Sequence, residues 1–112
     1  MKALVSVNIV LENEILEDGV LLWEKDRILA VGKRGEVAIP SDVEVIDGKG
    51  QYVGPGFVDI HVHGGAGHFF YQEPEEAAKH FLSHGETTVL ATLYYTIPKN
   101  EFYDAVVRVQ KA

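Results

Sequence analysis

The sequence contains no cysteine, so a disulfide framework and a thiolate metal site are both excluded. It also lacks any apolar run near the ~20 residues of a membrane helix, so no membrane partner is expected. Basic residues are few, 10 against 17 acidic residues, and the formal net charge is -7. Because no basic patch is present to displace counterions from phosphates, nucleic acid is not an expected partner either.

What is present is the composition of an ordinary globular protein, with 46% hydrophobic and 24% charged residues. The first ten residues are apolar but alternate with polar ones and carry Lys2 as their only charge. This pattern indicates a strand and not a signal peptide, so a cytoplasmic location is expected.

Residues 1–55 have the rhythm of short strands. Apolar residues alternate over Val5–Ile9, and residues 20–31 form two apolar runs around a polar turn, which predicts a hairpin. Further short strands are expected on either side of the turn at residues 47–50. We therefore expect residues 1–55 to form a small β-domain, an incomplete β-sandwich.

Residues 56–112 have a different rhythm. A compact apolar strand over residues 57–63 precedes a helix that starts at Pro74 and stops near Gly85. Residues 87–95 are apolar and β-branched or aromatic, as in a strand buried in a parallel sheet, and Pro98 then opens a second helix. The order β-α-β-α is the repeat of a parallel sheet or a (β/α) barrel.

The predicted fold class is therefore α/β with a β-rich N-terminal part. A small β-sandwich subdomain is followed by the first two β/α units of a truncated (β/α)8 barrel. Truncation is expected because the sequence stops at Ala112 inside the second helical pattern, whereas a whole barrel takes roughly 200 to over 400 residues.

The residues most suggestive of chemistry are His61 and His63. Side chains at i and i+2 of a strand point to the same face, so the two imidazoles are expected to project together. Neutral imidazoles bind zinc and other first-row divalent ions. A glycine-rich stretch, Gly64–Gly67, follows them directly and leaves room for a metal and a substrate to approach.

The segment Pro55–Gly64 (PGFVDIHVHG) resembles the first barrel strand of the amidohydrolase superfamily. Within the superfamily, the glycine-rich stretch and His84–Leu93 (HGETTVLATL) are most similar to N-acetylglucosamine-6-phosphate deacetylases. The resemblance implies that His61 and His63 bind a catalytic divalent metal, zinc being expected, with one or two ions in the complete enzyme. It also implies a small β-domain before the barrel.

Other residues are assigned smaller roles. Asp59 shares the face of His61 and is a candidate for orienting a histidine. Gly64, Gly65 and His68 are candidates for a substrate loop. His80 and His84 fall in the first predicted helix, where they are expected on its surface or at its end.

The resemblance implies hydrolysis of the acetamide of an amino-sugar phosphate, N-acetylglucosamine 6-phosphate, by the complete protein. No catalytic residue is expected in this chain itself, and the chain alone is expected to be inactive. One alternative is another cyclic amidohydrolase, dihydroorotase-like or adenine-deaminase-like. The other is a non-catalytic oligomerising module. Because an open sheet edge requires a partner, a homo-oligomer is expected.

Overall fold

The computed structural model describes residues Met1–Ala112, which divide into two compact units, Met1–Pro55 and Gly56–Ala112. The strands of the first unit are β1 (Lys2–Val10), β2 (Ile15–Glu24), β3 (Arg27–Lys33), β4 (Glu44–Asp47) and β5 (Tyr52–Val53). The elements of the second unit are β6 (Phe57–Val62), β7 (Gly64–Gly65), β8 (His68–Phe69), α1 (Pro74–Ser83), β9 (Glu86–Ala91) and α2 (Lys99–Lys111). Neither helix has the length and apolar character that a membrane crossing requires.

The first unit is a single five-stranded sheet in the order β3-β2-β1-β4, with β5 also paired to β1. The predicted hairpin of residues 20–31 is confirmed, and it is longer than predicted because β2 begins at Ile15. The turn at residues 47–50 does not join a hairpin: β4 and β5 both run parallel to β1 and pair with it in succession. All five strands belong to one sheet, so this unit contains no second sheet of the predicted sandwich.

The pairing of β1 with β2 is interrupted by a bulge. The register shifts between Leu4 and Val7, and Ser6 has a positive φ of 55°. Asp18 on the facing strand also has a positive φ, 47°. Arg34, just after β3, donates from its guanidinium to the Ser6 hydroxyl at 2.5 Å and to the Asp18 carboxylate at 3.1 Å. One side chain thus bonds to the bulged positions of two strands.

The core of the first unit follows from the alternation along β1, which buries every second residue from Ala3 to Ile9. Val7 and Ile9 pack with Leu16 of β2, and Leu4, Leu21 and Val53 close the cluster from its edge. β1 supplies this core because it pairs with β2, β4 and β5, which makes it the central strand of the sheet.

Apart from the short hairpin of β7 and β8, which the sequence does not predict, the second unit has the predicted order of strand, helix, strand and helix. β6 and β9 pair in parallel, with α1 between them in sequence. Pro74 is the first residue of α1, and Gly85, with a φ of +86°, follows the C-cap residue His84, as the two helix signals predict. The unit therefore has parallel β/α connectivity, and its two paired strands are too few to close into a barrel.

The strand that pairs with β6, β9, ends earlier than the sequence indicates. The apolar run predicts a strand over residues 87–95, but β9 ends at Ala91. Thr92 still donates its N–H to the Val62 carbonyl at 2.8 Å, and a turn closed by Ile97 N–H to the Tyr94 carbonyl follows. Tyr94 and Tyr95 thus lie beyond the strand end and do not continue the sheet.

Candidate metal centre

His61 and His63 lie at the carboxyl end of β6, where the strand and the residue after it place both rings on one side. The ring centroids are 5.1 Å apart and the rings are perpendicular, at 87°. An ion bound at about 2.0–2.1 Å to one nitrogen of each ring in a tetrahedral site would place the two centroids roughly 5 Å apart. The observed separation therefore fits a shared metal ion.

The orientation of the His63 ring is fixed by the neighbouring strand. Its Nδ1 lies 2.8 Å from the carbonyl oxygen of Thr92. Because a carbonyl oxygen can only accept, Nδ1 carries the proton and the lone pair is on Nε2. Metal-bound histidines are held in this way, with the second ring nitrogen donating to a carbonyl or a carboxylate. His63 is half-buried, whereas His61 is exposed.

Asp59 bonds to the main chain of His61. Its Oδ1 accepts the backbone N–H of His61 at 2.9 Å. The Asp59 carboxylate therefore fixes the backbone at His61, the residue that carries the first imidazole. Asp59 is predicted to orient a histidine, and its observed contact is with the peptide group of His61 and not with a ring nitrogen.

The remaining candidates form a small hairpin after the two histidines, in which β7 pairs with β8. A Cβ on Gly64 would lie 2.1 Å from the carbonyl oxygen of His68, and one on Gly65 would lie 2.6 Å from the Cδ2 of His80. The glycines therefore allow close packing of the hairpin on itself and on α1. His68 points its Nδ1 at the Glu73 carboxylate, 2.7 Å away.

Tyr94 is a neighbour of His63 that the sequence does not single out, since residues 87–95 are predicted only as a buried strand. Its ring stands edge-on to His63, with centroids 4.8 Å apart at 86°. Phe69 and Tyr95 lie beside Tyr94, at centroid distances of 6.1 and 5.0 Å. No signal in the sequence links Tyr94 to His63, because Tyr94 lies beyond the end of β9 and Thr92 contacts the ring through its main-chain carbonyl.

Within the described chain, no group of three or more histidine, aspartate or glutamate side chains is arranged to hold a metal ion. The two imidazoles fit a divalent ion in chemistry and separation, but catalytic zinc sites typically have three protein ligands. A separate cavity of about 520 Å³ contains neither histidine. It is lined mainly by α1, β9 and the end of α2, including Leu82, Val89 and Val109.

No family model matches the chain, but curated proteins of known activity do. Dihydroorotase of Staphylococcus epidermidis is 44% identical over 54 residues, covering 48% of this chain and 12% of that protein. Adenine deaminase of Staphylothermus marinus is 38% identical over 90 residues, covering 77% of this chain and 14% of that protein. The chain thus spans roughly an eighth of the length of the curated relatives it matches.

Solved structures match over nearly the whole chain. N-acetylglucosamine-6-phosphate deacetylase from Pasteurella multocida has a TM-score of 0.77 at 24% identity, covering 98% of this chain and 30% of that one. The deacetylase from Mycobacterium smegmatis has a TM-score of 0.67 at 27% identity, with coverage of 99% and 31%. The likeness to the Pasteurella multocida enzyme is one of fold alone, whereas the likeness to the Mycobacterium smegmatis enzyme is one of fold and sequence.

The proteins and structures that this chain resembles belong to the amidohydrolase superfamily. Its β-rich fold with few helices matches the N-terminal part of amidohydrolase structures, and the matched relatives are hydrolytic enzymes. Members of the superfamily are metal-dependent. The resemblance read from residues 55–64 is therefore confirmed at the level of the superfamily.

Proposed function

We propose that this chain is the N-terminal part of a metal-dependent amidohydrolase that hydrolyses the acetamide of N-acetylglucosamine 6-phosphate. The observation that carries the metal dependence is the His61–His63 pair, with the His63 proton held on Nδ1 by the Thr92 carbonyl. The substrate assignment is supported by the 27% identity to the Mycobacterium smegmatis deacetylase over 99% of this chain. The D267A mutant of that enzyme has been solved in complex with N-acetyl-D-glucosamine-6-phosphate.

In this proposal residues 1–55 are the small β-domain, an incomplete β-sandwich, and residues 56–112 are the first two β/α units of a (β/α)8 barrel. The unpaired edges of β6 and β9 would then be occupied by later strands, and the complete protein would be a cytoplasmic homo-oligomer. The expected ion is zinc, with one or two bound per complete enzyme.

The chain's own residues prepare the site in three ways. His61 and His63 would bind the ion. The Asp59 carboxylate accepts the backbone N–H of His61 and so fixes the backbone there. The Thr92 carbonyl and the Tyr94 ring restrict His63 to one orientation, so its Nε2 lone pair needs little reordering. When bound, the metal would polarise the acetamide carbonyl and acidify a water molecule. Gly64, Gly65 and His68 would shape the adjoining substrate loop.

The test uses the complete protein that carries this chain, purified without chelators. Acetate release from N-acetylglucosamine 6-phosphate and bound zinc per chain are measured for the natural protein and for His63→Gln. Loss of a residue that only hydrogen-bonds to a metal ligand typically lowers metal affinity roughly 10–100-fold. We expect His63→Gln, which removes a ligand itself, to lower zinc affinity by more than this and to abolish acetate release. His68→Gln is the matched control for zinc content, because His68 is paired with Glu73.

The outcomes separate the parts of the proposal. If zinc content is unchanged in His63→Gln, the metal assignment is wrong. If zinc is lost but the natural protein releases no acetate, the metal assignment stands and the substrate assignment fails.

A second candidate, a dihydroorotase-like or adenine-deaminase-like cyclic amidohydrolase, is favoured by the curated matches. It predicts ring opening of dihydroorotate or ammonia release from adenine by the same preparation. A non-catalytic oligomerising module predicts neither activity nor stoichiometric metal.

A further inference from the structure

A second pair of histidines lies at the C-terminal end of α1, on residues that the proposed function does not use. His80 is in the last turn of the helix and His84 is its C-cap residue. We propose that His80 and His84 form a binding site for a borderline-soft divalent ion such as Zn²⁺, independent of the pair formed by His61 and His63.

The spacing and separation of the two rings fit a shared ion. Residues four apart lie on the same face of a helix, and paired histidines at this spacing are a recurrent zinc-binding arrangement. The ring centroids of His80 and His84 are 4.6 Å apart, with the planes inclined at 59°. This is close to the roughly 5 Å expected for two imidazoles on one zinc ion.

The ring of His84 is held with a nitrogen ready for coordination. Its Nδ1 lies 2.9 Å from the carbonyl oxygen of His80, so Nδ1 is the donor and Nε2 carries the lone pair. The hydroxyl of Ser83 donates to the same carbonyl at 2.6 Å. Because His84 is exposed, an ion can reach its Nε2 without opening the fold.

The ring of His80 is also restrained. Its Cδ2 and Nε2 atoms face Gly65, where an added Cβ would lie 2.6 and 3.1 Å from them, so Nδ1 is the nitrogen left for an ion. The ring stands edge-on to Phe81 with centroids 5.4 Å apart. Restrained rings lose less side-chain entropy when they bind an ion, which favours binding even with two protein ligands.

The electrostatic surroundings favour a cation. The C-terminal end of a helix carries partial negative charge from its unpaired carbonyl groups, and this charge stabilises cations in the last turn. The nearest basic side chain in sequence, Lys79, is paired with Glu76 at 2.6 Å, so part of its charge is neutralised. The site is therefore suited to binding, with water in its remaining positions.

The experiment is a Zn²⁺ titration of the full chain, without an affinity tag, followed by NMR of the ring carbon–proton signal of each histidine. We expect the signals of His80 and His84 to shift together with one dissociation constant, and Mg²⁺ to shift neither, because imidazole is a poor ligand for hard ions. His84→Gln should remove the response of His80. The double variant His61→Gln/His63→Gln should leave both responses unchanged.

A helix-phase control keeps the number of histidines constant. Lys79→His combined with His80→Gln places the pair five residues apart, off a common face, and should weaken binding at this end of α1 by at least about tenfold, or roughly 1.4 kcal/mol. Circular dichroism verifies that each variant retains its helix. The proposal is overturned if His80 still responds in His84→Gln, if the helix-phase variant binds equally well, or if the response disappears with the first histidine pair. Failure of the deacetylase assay has no bearing on any of these outcomes.

Discussion

The two units differ in how much of their own apolar surface they bury. The buried hydrophobic residues of the first unit are Ala3, Val5, Val7, Ile9, Leu16, Val20 and Leu22, and those of the second are Phe70, Ala77 and Ala105. β1 pairs with three strands, whereas β6 pairs with one. As a result, an apolar strand in the second unit leaves Ile60 75% exposed and Val58 64% exposed.

The difference shows that strand burial depends on the number of neighbours more than on the sequence of the strand. The residues proposed to bind metal, His61, His63, His80 and His84, all belong to the unit with the smaller core. Sites that bind ligands are often carried by the less stable parts of a protein, because the same openness that weakens packing admits the ligand.

The largest expected effect is on the free energy of unfolding, when an isoleucine in each unit is replaced by alanine. Ile9→Ala should destabilise the first unit by about 2–5 kcal/mol, because Ile9 is 5% exposed and its truncation leaves a cavity. Ile60→Ala should change the stability of the second unit by less than about 0.5 kcal/mol. Urea unfolding is followed by Trp23 fluorescence for the first unit and by helical circular dichroism for the second. A large loss in Ile60→Ala would show that Ile60 is covered in solution.

An intermediate effect is expected at two glycines. Gly64→Ala brings a methyl group against the backbone of His68 and should cost about 1–3 kcal/mol in the second unit, with loss of the bond from Phe70 N–H to the His63 carbonyl. Gly35→Ala in the first unit meets no atom within 4 Å and is strained only by its φ of +91°. Hydrogen exchange at Phe70 should accelerate in the first variant alone. Equal protection in both would show that the hairpin tolerates the methyl group.

The smallest expected effect is on the pH dependence of stability, through one carboxyl group in each unit. The backbone N–H of Lys49 lowers the pKa of Asp47 below its ordinary value of 3.8, with additional contributions from Ser6, Lys49 and Arg34. The side chain of Lys79 lowers the pKa of Glu76 below 4.5. Since both values are lower in the folded chain, the stability they contribute is present above the ordinary values and is lost as the pH falls through the folded ones.

These two carboxyls should respond differently to salt. At 1 M NaCl the pKa of Glu76 should move towards its ordinary value, because the exposed Lys79 charge is screened. The pKa of Asp47 should move less, since its largest cause is a hydrogen bond to the backbone. Carboxyl carbon NMR titrations at low and high salt measure both shifts. Equal movement of the two groups would contradict the assigned causes.

The sequence predicts those parts of the fold that depend on local pattern. The alternation along β1, the hairpin of β2 and β3, and the limits of α1 at Pro74 and Gly85 are all confirmed. The sequence does not predict that β4 and β5 both pair with β1, because parallel register depends on contacts about 40 residues apart.

The same limit applies to the candidate site. The i, i+2 rule brings His61 and His63 together, and the structure places their rings side by side. The contact of His63 with Thr92 depends on the register between β6 and β9, which single-strand periodicity does not contain. The place of Tyr94 could not be predicted because the apolar run conceals the strand end at Ala91.

The bulge at Ser6 has a consequence for how the first sheet assembles. In a strand, a shift by one residue would turn every core side chain of β1 outward. In the observed alignment of the three strands, Arg34 reaches the hydroxyl of Ser6 and the carboxylate of Asp18 together. A misaligned sheet would lose these bonds in addition to its core. The bulge and Arg34 therefore favour the same strand alignment as the buried apolar face, and the exposed bonds of Arg34 add a small contribution to it.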